Sequence, residues 1–293
     1  MYDMKALYEA RSVQDAVRLL TEHPQAIIIA GGSDVLIKMR GGKLAGCELV
    51  SIYGIDALRG ISMDADGTLR ILPLTSFSHI TRDPLIQKHI AVLGEAVDQV
   101  GGPQIRNIGT IGGNTCNGVT SADSASTLFA WDAVMEITGP QGVRQVPIQQ
   151  FYIKAGQVAL QHNELETAIL IKKESYEGYR GHYIKYAMRN AMDIATCGCS
   201  VNVKLSADKK YIEDVRIAYG VAGPIPMRAP SAEAAAKGKP VSMETVEAFG
   251  EAALQDVNPR TSWRATKEFR LHLTRELAMR ALKESILRSG GAL

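Results

Sequence analysis

Cysteine is scarce in this chain. Its 293 residues include four, Cys47, Cys116, Cys197 and Cys199. None belongs to a C-x-x-C pair, and the wide spacing offers no local cluster motif, so four reduced thiols are expected and no metal site. The six histidines never approach each other at metal-ligand spacing. Phe and Trp number five and two, and 33 Lys+Arg face 31 Asp+Glu, leaving a net charge of +2. Basic residues interspersed with acidic ones argue against a nucleic-acid partner. The longest strongly apolar run, 26–30, is far too short to span a bilayer. Asp3, Lys5 and Glu9 interrupt the N-terminus, leaving no secretory apolar region, so a cytoplasmic protein is expected. G-x-G is absent, which removes the usual dinucleotide fingerprint, and so is the G-x-x-x-x-G-K-[ST] phosphate loop. Without G-x-S-x-G or a paired-carboxylate motif, no catalytic nucleophile is expected.

What the chain does have is two glycine pairs, each expected in a loop between an apolar strand and a helix. The first lies in Ile27-Ile28-Ile29-Ala30-Gly31-Gly32-Ser33-Asp34. The second lies in Gly109-Thr110-Ile111-Gly112-Gly113-Asn114-Thr115-Cys116-Asn117, with Asp123 close behind. Glycine lacks the Cβ that keeps a ligand off the backbone and adopts φ > 0 without steric cost, so successive amides can converge on an anion. A tight turn would explain either pair alone. A turn has no need of Asn114, Asn117 and Asp123 together, whereas a dinucleotide has hydroxyls and phosphates to satisfy. The two segments therefore read as two sides of a pyrophosphate clamp.

The remaining pattern divides the chain into three units. Residues 1–55 read as a small α/β unit, with Ser12 capping a helix and 26–30 a strand buried on both faces. Residues 56–175 read as α+β with a mostly antiparallel sheet: a hairpin at Asp66-Gly67, one helix from Pro84 to Val100, and strands near 134–137, 143–147 and 167–172. The polar stretch 174–181 marks a boundary. Beyond it, 180–290 reads as an antiparallel hairpin (195–205 and 212–221) followed by helices. The last helix carries Leu273, Leu277, Ala281 and Ile286 inward and its Arg and Lys outward.

Ala-Gly-Gly-Ser-Asp-Val at 30–35 and Thr-Ile-Gly-Gly-Asn at 110–114 resemble the FAD-binding subunits of molybdenum hydroxylases. These have an FAD domain of the vanillyl-alcohol oxidase or para-cresol methylhydroxylase type. The resemblance extends through Gly102-Pro103-Gln104-Ile105-Arg106-Asn107, Tyr186–Ala195 and Trp263–Leu273, covering nearly the whole chain. It implies an α+β fold with a two-subdomain FAD domain and a C-terminal domain of antiparallel sheet and helix bundle. It implies FAD contacts from Ile27 through Asp34 and Gly109 through Gly113, with Asn114, Asn117 and Asp123 as further polar contacts. Leu165, Lys185 and Arg189 are carried over in the same way, the lysine beside the flavin edge. It also implies iron–sulfur and molybdopterin-binding partner subunits and NAD as co-substrate, most nearly in a complex of the xanthine dehydrogenase type. Carbon monoxide, nicotinate or aromatic substrates are the alternatives, followed by a cell-wall precursor reductase of similar fold and by a non-catalytic assembly protein.

Overall fold

Ser12 opens the first helix as predicted. Its hydroxyl accepts from the Asp15 amide at 3.0 Å, and Ala16, Leu19 and Leu20 turn inward. The computed structural model describes residues 2–293. Its first unit comprises β1 (Met4–Glu9), α1 (Val13–Glu22), β2 (Ile27–Ile29), α2 (Val35–Arg40) and β3 (Cys47–Ser51). The three strands form a parallel sheet in the order β1-β3-β2. Central β3 buries Leu49 and Val50. Strand β2 is the correction here: it is an edge strand and all three isoleucines are only partly buried, because one side opens on a cleft.

The second unit begins with β4 (Ile61–Met63) and β5 (Leu69–Ile71), joined at Gly67, whose φ of +86° the turn requires. Six helices follow: α3 (Phe77–Arg82), α4 (Pro84–His89), α5 (Ala91–Val97), α6 (Pro103–Ile108), α7 (Ile111–Cys116) and α8 (Asp123–Ala130). Then come β6 (Val134–Gly139), β7 (Gly142–Pro147), α9 (Ile148–Phe151), the small hairpin β8 (Tyr152–Lys154) with β9 (Gln157–Val158), and β10 (Leu165–Ile171). The sheet is antiparallel in the order β4-β5-β10-β6-β7, and every residue of central β10 is buried. The helix expected from Pro84 to Val100 is two helices. Asp83 caps the first, and Ile90 leaves helical geometry between them at φ −139°, ψ 46°. Ile86, Ile90, Leu93 and Val97 are all buried, so the helical spacing of apolar residues runs through the break and conceals it.

The short α10 (Lys173–Tyr176) follows, and the third unit then holds β11 (Arg180–Tyr186), β12 (Cys197–Leu205), β13 (Ile212–Gly220), β14 (Met227–Arg228), α11 (Pro230–Ala236), α12 (Met243–Ala253) and α13 (Lys267–Arg288). The four strands pair antiparallel in sequence order. Helix α13 is capped by Thr266 and buries Leu273, Leu277, Ala281 and Ile286 in one core with Val201, Val203 and Tyr219. Its cations are not all outward. Arg270 is 3% exposed, and its guanidinium donates to the Thr196 carbonyl and to Ser262 Oγ at 2.9 Å. Polar ties join this sheet to α8 and the turn after it: Asn202 Nδ2 donates to the Ala130 carbonyl at 3.1 Å, and Arg228 pairs with Asp132 at 2.5 Å.

Candidate functional site

A cleft of about 800 Å³ separates the parallel sheet from the helices α3, α6 and α7 and the end of β10. This is the size of a cofactor site, for which roughly 300–1,000 Å³ is usual. Fourteen of the residues singled out above line it: Ile27, Ile28, Ala30, Gly31, Gly32, Ser33, Asp34, Gly109, Thr110, Gly112, Gly113, Asn114, Asn117 and Leu165.

The first motif leaves β2 and enters α2 through a left-handed turn, with Gly32 at φ +75°. Among the described residues, the amides of Gly31 through Val35 donate to no acceptor, although Leu36 already bonds back to the Gly32 carbonyl at 2.9 Å. Five successive unpaired N–H groups beside a cleft suit an anion. Asp34 occupies the cap position but its carboxylate makes no cap bond, pairing with Lys38 at 2.5 Å instead.

The second motif is not a loop. Gly112 and Gly113 lie in the first turn of α7, whose N-cap Thr110 accepts from the Gly113 amide at 3.2 Å. The other amides of this turn are consumed as well. Ile111 donates to the Thr75 carbonyl at 3.0 Å, Gly112 to Pro73 at 2.9 Å and Asn114 to Thr110 at 3.0 Å. The clamp is therefore asymmetric. One wall supplies free amides; the other supplies the side chains of Thr110, Asn114 and Asn117 on a close backbone.

The four glycines also divide their work. A Cβ on Gly31 would lie 1.9 Å from the Ile108 carbonyl oxygen, and one on Gly112 would lie 2.3 Å from Pro73 Cβ. These two serve protein packing. A Cβ on Gly113 would meet only Thr110 Oγ1, at 2.9 Å, and Gly32 is held by its positive φ. A Cβ on Gly32 would face the side chains of Leu36 and Ile29 at 3.2–3.4 Å, so Gly113 alone leaves room on the cleft side.

Two further side chains shape the electrostatics. Lys38 spans the walls, its Nζ reaching Asp34 and, at 3.1 Å, the Asn117 carboxamide oxygen. Glu166, beside Leu165, hydrogen-bonds Thr115 and Cys116 of α7, and burial pushes its carboxyl up to about 8. Cys116 shares that pocket, and burial raises its thiol well above the ordinary range.

Five of the singled-out residues do not line the cleft. Ile29 is directed elsewhere on β2, and Ile111 is fully buried in the core. Asp123 is 6% exposed at the start of α8, where it accepts from Tyr183 Oη at 2.8 Å and from Lys185 Nζ at 2.7 Å. Burial raises the Asp123 carboxyl in spite of that lysine. Lys185 also donates to the Gln99 carbonyl at 2.9 Å, so it is neither a solvated edge cation nor a cation on the cleft wall. Arg189 is exposed and folds onto its own turn, donating to the Met192 carbonyl at 2.8 Å.

Sequence reasoning missed Lys38, Pro73, Phe77, the β8–β9 hairpin, His162 and Glu166, which also line the cleft. Lys38, one helical turn after Asp34, is the only one with a readable local signal, the i,i+4 charge pair.

A family model for the FAD binding domain in molybdopterin dehydrogenase matches residues 2–172, and one for the CO dehydrogenase flavoprotein C-terminal domain matches residues 182–285. The chain is 42% identical over 293 residues to the xanthine dehydrogenase FAD-binding subunit of Escherichia coli O157:H7, covering 100% of both. It is 29% identical over 246 residues to the nicotinate dehydrogenase FAD-subunit of Eubacterium barkeri, covering 82% of both. A chain of the solved carbon monoxide dehydrogenase of Hydrogenophaga pseudoflava superposes with a TM-score of 0.92 at 28% identity, covering 99% of both. Five unpaired amides, a left-handed glycine and an open glycine opposite fit a nucleotide diphosphate, and with these likenesses the chain belongs to the FAD-binding subunits of the molybdopterin dehydrogenases.

Proposed function

We propose that this chain is the FAD subunit of a xanthine dehydrogenase-type complex. Its partners are an iron–sulfur subunit and a molybdopterin-binding subunit, its terminal acceptor is NAD, and its compartment is the cytoplasm. The observation that supports the xanthine type is the 42% identity across the full length of a xanthine dehydrogenase FAD-binding subunit. No helix of the described residues is long and apolar enough to cross a membrane. When bound, FAD supplies the exchange between single-electron carriers and hydride chemistry. The chain's own residues hold and orient it. The amides of Gly31 to Val35 take the pyrophosphate, Lys38 offsets its charge, and Thr110, Asn114 and Asn117 present hydroxyl and amide groups from the facing wall. The three units, 1–55, 56–175 and 180–290, divide this labour, with the third anchored to the second through Asp123 and Lys185.

The test separates the two ends of the electron path. The isolated subunit loaded with FAD is expected to be reduced by NADH and to stay oxidised with xanthine, because hydride transfer needs only nicotinamide against flavin, which one chain can arrange. Adding both partner subunits connects xanthine to the flavin. Bleaching by xanthine alone overturns the subunit reading, and inertness to NADH overturns the acceptor. The likeness to a nicotinate dehydrogenase FAD-subunit supports a second reading, in which the partner accepts an N-heterocyclic acid. Reconstitution with nicotinate in place of xanthine distinguishes the two.

A further inference from the structure

The cleft wall carries a buried acid that holding a pyrophosphate does not require. Glu166 is 4% exposed in β10 and lines the cleft. Its Oε2 lies 2.7 Å from Thr115 Oγ1 and 3.4 Å from Cys116 Sγ, while Oε1 is buried without a partner. Cys116 on α7 and Tyr152 on β8 are the titratable groups beside it, and Tyr152 Oη is itself buried and unpartnered. Asp34, Lys38 and His162 stand elsewhere on the cleft wall, and none of them bonds Glu166. An ionised carboxylate here is a buried anion without a counter-charge.

The hydrogen bonds of Thr115 point the same way. Its hydroxyl has one proton, yet Oγ1 also lies 3.2 Å from the Ile111 carbonyl oxygen and 3.1 Å from that of Gly112. Carbonyls only accept. A protonated Glu166 satisfies all three contacts: the threonine proton goes to the helix backbone and the carboxylic O–H makes the short contact to Thr115. Burial raises the carboxyl in the direction this requires.

We propose that Glu166 is a cofactor-contacting residue: a neutral carboxylic acid that donates from Oε2 to Thr115 and accepts at Oε1 from a hydroxyl of the bound flavin nucleotide. Pyrophosphate oxygens cannot fill that role, since they only accept, and they repel a carboxylate. The hydroxyls of the ribityl chain and of the adenosine ribose both donate. The proposal rests on the assignment of this cleft to FAD.

The experiment uses the full chain stripped of flavin and titrated with FAD by fluorescence quenching from pH 6 to pH 9, as wild type, Glu166→Gln and Glu166→Leu. Wild-type Kd is expected to be flat below pH 7.5 and to rise by up to tenfold per pH unit above about pH 8. Glu166→Gln keeps a neutral acceptor, so its Kd at pH 7 stays within about threefold of wild type and its pH dependence disappears. Glu166→Leu weakens FAD about tenfold at pH 7, the loss of one hydrogen bond, and is also flat. Melting of the flavin-free variants checks folding, and Leu is expected to melt no lower than wild type because it removes a buried polar group. Whichever of FMN and ADP loses affinity in Glu166→Leu names the ribityl or ribose hydroxyl. A wild-type Kd for Glu166→Leu at pH 7, or a wild-type pH profile for Glu166→Gln, overturns the role of Glu166. Absence of FAD uptake by wild type at every pH overturns the cleft assignment instead.

Discussion

Gly31 and Gly113 are both first-rank candidates for ligand contact in the sequence, yet alanine at each is expected to do opposite things. At Gly31 the new Cβ lies 1.9 Å from the Ile108 carbonyl oxygen and 2.9 Å from its carbon. That carbonyl is backbone at the end of α6, so relief means moving a helix. Overpacking costs about 1–3 kcal/mol, and a backbone collision belongs at the top of that range. For a chain of this length about 3 kcal/mol lowers Tm by roughly 6 °C. At Gly113 the new Cβ meets only Thr110 Oγ1, at 2.9 Å, and the backbone is helical. Helix propensity favours alanine by about 1 kcal/mol, and disturbing the cap costs about as much, so Tm is expected to stay within about 2 °C. The methyl group nevertheless stands on the cleft wall, and the purified variant is expected to lose most of its flavin. Differential scanning fluorimetry of the flavin-free protein and the flavin-to-protein absorbance ratio read the two effects separately. Wild-type melting for Gly31→Ala, or full flavin content for Gly113→Ala, refutes the division of labour among the glycines.

Three further outcomes are expected. Lys185→Met leaves the Asp123 carboxylate buried without its cation, and urea unfolding is expected to show a loss of about 3–5 kcal/mol, largely restored by adding Asp123→Asn; full stability of the single variant removes the strut. The Glu166 carboxyl is raised from 4.5 to about 8 in the folded chain, so the folded state holds a proton the unfolded state has lost. Stability relative to Glu166→Gln is therefore expected to fall as pH climbs from about 5 to 8, by on the order of 4 kcal/mol, and to level off above; a pH-independent difference between their urea midpoints contradicts this. Burial raises the thiols of Cys116, Cys197 and Cys199, so in a timed titration with a thiol reagent Cys47 is expected to react first and the others on unfolding, with no iron or sulfide in the isolated chain.

Features read correctly from the sequence have local causes. Ser12 bonds three residues ahead, Gly67 needs only its own φ, and the stripe of α13 repeats within two turns. Each can be judged from a short window. The errors are at contacts between distant segments. Thr75 and Pro73 supply the acceptors that turn the second glycine motif into a helix, and neither is near it in sequence. Ile90 sits where core packing outweighs helical continuity. Arg270 looks like a surface cation until Thr196 is found beside it, and Lys185, expected at the flavin edge, pairs with Asp123. Glu166 stands in a strand otherwise read by its apolar residues, and only the approach of α7 shows that this acid is enclosed. The outline of the cleft was legible because glycine pairs announce close approach. Which partner approaches, protein or ligand, was not.

The contact between Gly31 and the Ile108 carbonyl also acts as a gauge. It brings the first motif against the end of α6 by atoms that belong to the protein alone, so the distance between the cleft walls is set before any cofactor arrives. A receptor already at its final width spends little ordering entropy on loading. Uptake of the cofactor is then expected to need no partner: the chain can be filled on its own.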